Sequence, residues 1–124
     1  MGPEVTTAHG INNSGEIVGV FVLSGSAIQQ AFSYNGTKFL TINVPGHSNT
    51  GAHGVNNRGE IVGFTDNGAV GFADRNGEFD LIMIPNAQST IANGVNDRGL
   101  VVGSYSDGVV TLGFVATPVP GQRN

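Results

Sequence analysis

The chain has 124 residues, enough for one compact domain, with 39% hydrophobic and only 11% charged residues, 20 glycines, and neither cysteine nor tryptophan. It is too apolar for disorder, and without cysteine it has no disulfide framework and no thiolate chemistry. A net charge of −4 with five scattered basic residues offers no footprint for nucleic acid or an anionic membrane. No apolar run approaches the roughly 18 residues of a membrane-crossing helix, and Met1-Gly2-Pro3-Glu4 lacks the basic and apolar regions of a signal peptide.

In chain order, Val5-Thr6-Thr7 adds a few extended residues but no convincing strand of its own. The phrase Ala8-His9-Gly10-Ile11-Asn12-Asn13-Ser14-Gly15-Glu16-Ile17-Val18-Gly19 follows. It returns from Ala52 to Gly63 and, with changes, from Ala92 to Gly103. A period of about 40 residues marks a repeated supersecondary unit. In each copy Asn12, Asn56 or Asn96 opens a type I turn, and Gly15, Gly59 or Gly99 takes the left-handed position of a bulged hairpin. Arg58 reads as a solvated turn position, and Glu16 and Glu60 as solvated strand-edge residues, with Leu100 in their place in the third copy.

The second hairpin varies in length between Gly19 and Phe32, Gly63 and Phe72, and Gly103 and Phe114. Those phenylalanines anchor a third strand, and Phe39 and Phe79 a fourth, closed by Pro45 and Pro85. Asn/Asp/Gly turns separate the runs, as in a β-meander. The third copy stops near Pro118 without a fourth strand, so about eleven strands are expected. The whole of 1–124 reads as a single repeat domain, with repeats at about 6–49, 50–89 and 90–117 and a tail over 118–124.

The pattern Gly-Ile/Val-Asn-Asn/Asp-x-Gly-Glu-Ile-Val-Gly, with Gln30-Ala31-Phe32-Ser33-Tyr34-Asn35-Gly36 and Pro45-Gly46, resembles the HAF family of probable extracellular repeats. The similarity covers roughly residues 6 to 117. The family's His-Ala-Phe triplet stands here as Gln30-Ala31-Phe32, Val70-Gly71-Phe72 and Leu112-Gly113-Phe114, so nothing tied to that histidine carries over. The resemblance implies a bacterial protein at the cell surface or outside the cell, and no shared activity.

The expected fold is all-β: three tandem four-stranded antiparallel repeats, arranged as propeller-like blades. The alternative is a β-trefoil or β-prism, which closes three such units into a monomer. Three blades are too few to close a propeller ring and leave two open edges. A homo-oligomer is therefore expected, a dimer first and a filament if the rotation does not close.

His9 and His53 occupy equivalent positions, with Asn93 in the third copy. Two readings stand: side chains converging on one mouth of a channel as a ligand site, or repeat residues bonding a neighbouring backbone. No carboxylate lies at metal spacing beside them, and the Asp/Gly turns are too short for a calcium loop. No metal or cofactor is implied. No serine elbow, phosphate loop or acid/base pair is present, so no catalytic residue is assigned. Tyr34 and Tyr105 are candidates to stack on a sugar. The leading expectation is a non-catalytic extracellular repeat module that assembles with itself as a scaffold or an adhesion and ligand-recognition unit. The alternative is a lectin-like carbohydrate-binding module with one site per repeat.

Overall fold

A computed structural model describes residues 3–118; all of the tail predicted over 118–124 except Pro118 lies outside them. The described chain is all-β, with eleven strands and one 3-10 turn (Asp66–Gly68). The first sheet is β1 (Pro3–Ile11), β2 (Ile17–Leu23), β3 (Gln29–Tyr34) and β4 (Phe39–Ile42). The second is β5 (Gly51–Val55), β6 (Ile61–Thr65), β7 (Val70–Arg75) and β8 (Glu78–Ile82). The third is β9 (Ser89–Val95), β10 (Val101–Ser106) and β11 (Thr111–Ala116). Among the described residues the third repeat thus has three strands, and Val5-Thr6-Thr7 lengthens β1 instead of forming a strand of its own.

Each sheet is an antiparallel meander in sequence order. Gly19 faces Phe32, Gly63 faces Phe72, and Gly103 faces Phe114 across neighbouring strands, so one register recurs three times. The first turn is as expected: Gly15, Gly59 and Gly99 have φ of 84°, 81° and 85°, which a β-branched side chain resists. The Asn12 side-chain oxygen accepts from the N–H groups of Ser14 and Glu16, and Asn56 and Asn96 repeat the arrangement. Pro45-Gly46 and Pro85-Asn86 close tight turns between repeats, with His47 N–H donating to Val44 O and Ala87 N–H to Ile84 O.

Among the described residues no strand pairs with a strand of another repeat. The sheets instead pack face on face in the order one, two, three, and no substantial packing joins the first to the third. Merged trefoil barrels and closed three-sided prisms both need such joins; this stack is open. Val18, Ala31 and Ile42 of the first sheet pack on Val55, Ile61 and Phe72 of the second. Val62 and Ala73 then pack on Ala92 and Val101 of the third. In the second repeat Ile61 faces the preceding sheet and its neighbour Val62 faces the following one. The period-2 alternation of a strand buried on both faces produces this.

Candidate functional site

Three features recur down the stack. One breaks the repeat.

On the first strand of each repeat, the ladder skips one residue between Ala8 and Gly10, between Ala52 and Gly54, and between Ala92 and Gly94. The skipped residues are His9, His53 and Asn93. Each is the extra residue of a β-bulge, which re-aims a side chain out of the pleat. The imidazoles of His9 and His53 stack with centroids 4.5 Å apart and planes within 9°, and Phe64 meets the His53 ring edge-on at 5.6 Å. Burial lowers the pKa of His53 below the ordinary 6.5, and the neighbouring His9 adds to the effect. Asn93 holds the same bulge position one repeat on. Neither candidate tyrosine joins this line. Tyr34, in β3, donates its hydroxyl to Gly36 O and meets Phe39; Tyr105 is half-buried in β10 between Thr90 and Leu112.

Along the first turns runs a hydrogen-bonded ladder. Asn12 Nδ2 donates to Asn56 O at 2.9 Å, and Asn56 Nδ2 donates to Asn96 O at 2.8 Å. Asn13 N–H donates to Asn57 Oδ1, and Asn57 N–H to Asp97 Oδ1, both at 2.7 Å. The Asn57 N–H and side-chain amide, aided by the Arg58 charge, hold the Asp97 carboxyl below its ordinary pKa.

Glu60 corrects the expectation of a solvated edge. It is only 3% exposed. Its Oε1 accepts from Asn56 Nδ2 at 2.7 Å, and its Oε2 lies 3.6 Å from Arg75 Nη1 and 3.4 Å from Arg58 Nη2. Arg75, itself buried, also donates from Nε to Asp80. Arg58 is not purely solvated either: its Nη1 donates to Asp97 O at 3.1 Å. This charged group sits at the junction of repeats two and three, against Gly99. Beside the first junction, burial raises the pKa of Asp74, against a 2.8 Å hydrogen bond from Gly77 N–H.

The break in symmetry lies at the linker between repeats one and two. A cleft of about 260 Å³ is lined there by amides and hydroxyls, among them Gln29, Gln30, Asn43, Ser48 and Asn49, over Ile28 and Ile42. At its edge His47 Nδ1 and Asp66 Oδ2 are 2.8 Å apart. Asn49, Asp66 and Asn67 all take left-handed φ there, of 57°, 54° and 59°. Ser26 also lines the cleft, but its hydroxyl accepts from Ile28 N–H, and among the described residues no hydroxyl hydrogen-bonds His47. The arrangement suits recognition of a polar ligand and supplies no activated nucleophile. Neither His47 nor Asp66 stands out in the sequence. The available signal is that the repeat period places Ala87 and Ser106 at the corresponding positions.

Among the described residues no group of three or more His, Cys, Asp or Glu side chains could hold a metal ion. No helix there is long and apolar enough to cross a membrane. No family model, characterised protein or solved structure matches the chain.

Proposed function

We propose that this chain is a non-catalytic repeat module, its sheets acting as propeller-like blades, that assembles with itself as a scaffold or recognition unit. The observation that carries the reading is a mismatch between equivalent valines. Val18 and Val62 are 0% exposed because the next sheet covers them, whereas Val102, at the same place in the third repeat, is 48% exposed. An uncovered copy of an interior interface is a surface awaiting the same kind of neighbour. The resemblance to HAF repeats supports an extracellular or cell-surface setting. Light scattering coupled to size exclusion tests the assembly: a discrete dimer or a longer series supports it, and a monomer at every concentration removes it.

The His47 cleft favours a second reading, carbohydrate binding. Amides and hydroxyls over an apolar floor match the alternating polar and apolar faces of a sugar. The repeat period puts Val70, Met83 and Ala87 where the first junction has Gln30, Asn43 and His47. The expected stoichiometry is therefore one ligand per chain, not one per repeat. Calorimetry against a panel of oligosaccharides, repeated with Asn43→Ala, tests this reading.

A further inference from the structure

We infer that the chain docks onto a second copy of itself head to tail, the open face of the third repeat taking the open face of the partner's first repeat. The inference rests on the self-assembly reading and adds to it the polarity of the contact and its residues.

Polarity comes first from the turn ladder. At both internal junctions every ladder bond runs one way: the earlier repeat donates and the later one accepts. The stack therefore ends in unlike groups. At the third repeat, Asn96 Nδ2 and Asp97 N–H have no acceptor among the described residues. At the first repeat, among the described residues, Asn13 Oδ1 receives no hydrogen, and Asn12 O receives only that of Gly15, as Asn56 O does from Gly59 besides its ladder bond. Like ends would set donor against donor; only unlike ends complete the ladder. A second copy then accepts from Asn96 Nδ2 at its Asn12 O and from Asp97 N–H at its Asn13 Oδ1.

A glycine on the first strand of each repeat supplies an independent reason. A Cβ at Gly10 would lie 3.0 Å from His53 O, and one at Gly54 would lie 3.0 Å from the Gly94 Cα. Both positions are crowded because the first strand of the next repeat passes close by, and an added methyl would press on its backbone. Gly94 has no such neighbour: a Cβ there would meet only its own repeat's Val102, at an ordinary 3.5 Å, and its φ is not left-handed. Nothing among the described residues calls for glycine at 94. An incoming strand at the spacing of Gly10 and Gly54 does. The apolar groups agree, since Ile11 is 67% exposed where its counterpart Val55 is 9% exposed. Docking would seat Val102 on the partner's Ile11 and Ile17, as Val18 is seated near Val55 and Ile61.

A head-to-tail contact is heterologous, so every interface uses one of each face. The test is sedimentation of the 124-residue chain with Val102→Arg and Ile11→Arg, each checked for native circular dichroism. Each variant alone is expected to be monomeric, and an equal mixture to recover a 1:1 complex and nothing larger. If either variant alone assembles as the unsubstituted chain does, or if the mixture fails to pair, the head-to-tail contact is overturned while self-assembly stands. If the unsubstituted chain is monomeric throughout, the self-assembly reading falls and this inference with it. Gly94→Ala guards against misfolding by the arginines. It is expected to weaken association at least tenfold without lowering the melting temperature, whereas Gly54→Ala lowers the melting temperature itself. Unchanged association of Gly94→Ala would also overturn the proposal.

Discussion

Asn56 Nδ2 donates to Asn96 O at 2.8 Å, joining the first turns of two repeats whose strands never pair. The same side chain closes its own turn by accepting from Arg58 N–H and Glu60 N–H, and its amide also reaches Glu60 Oε1. One buried asparagine thus serves turn, ion pair and junction together.

Asn56→Ala is accordingly expected to cost about 2–3 kcal/mol, because buried N–H and carboxylate groups lose partners that water does not replace. Asn96→Ala loses only the turn bonds of an exposed residue and is expected to cost about 1 kcal/mol. Urea denaturation of the two variants checks the order. Equal losses would mean that the bond between repeats contributes nothing.

Gly59→Val is expected to destabilise the chain by at least about 1–2 kcal/mol, since a β-branched side chain is forced to φ of 81°. Arg58→Ala, one residue earlier, should cost less, about 0.5–1 kcal/mol. Its guanidinium bonds Asp97 O, but it is mostly exposed, and Glu60 keeps Arg75. Thermal melts of both variants compare a backbone requirement with a side-chain one.

The repeat frame was readable in the residues because its rules are local. Asn12 and Gly15 specify a turn three residues across, and the Gly19 and Phe32 pairing follows from the recurring register. The partners of Glu60 were not readable. Arg75 lies on another strand of the second sheet, and the turn that covers them belongs to the third repeat, so the burial exists only once sheets stack. His47 and Asp66 are likewise brought together by a linker crossing a hairpin. The bulges at His9, His53 and Asn93 add one residue with no mark in the pattern beyond the glycine that follows. Equivalence of the histidines was legible for that reason, and their direct stacking was not.

Removing one partner of the buried Glu60–Arg75 pair leaves the other with a single ionic partner, Asp80 for Arg75 or the mostly exposed Arg58 for Glu60. Glu60→Ala is expected to cost about 3 kcal/mol, and the double change Glu60→Leu with Arg75→Leu less than the sum of the two single changes. The third repeat already carries Leu100 at the Glu60 position, which shows that the turn itself accepts an aliphatic residue there. A double-mutant cycle in urea measures the coupling. Strict additivity would show that the pair interacts no more strongly than an exposed one.

The stacked imidazoles carry a pH dependence whose sign follows from burial. His53 titrates below the ordinary 6.5 in the folded chain, so the unfolded chain binds the proton more readily. Its contribution to stability is complete above the ordinary value and falls as pH drops below 6.5, until the folded-state pKa is passed and the loss levels off. Protonation there places a positive charge against the His9 ring, whose centroid is 4.5 Å away, and desolvates it beneath Phe64. Asn93 occupies the same bulge in the third repeat, so His53→Asn keeps a residue that this backbone accepts. The melting temperature of the unsubstituted chain is expected to fall more steeply than that of His53→Asn between about pH 6.5 and pH 5. Parallel curves for the two proteins over that window would show that the imidazole stack does not couple protonation to stability.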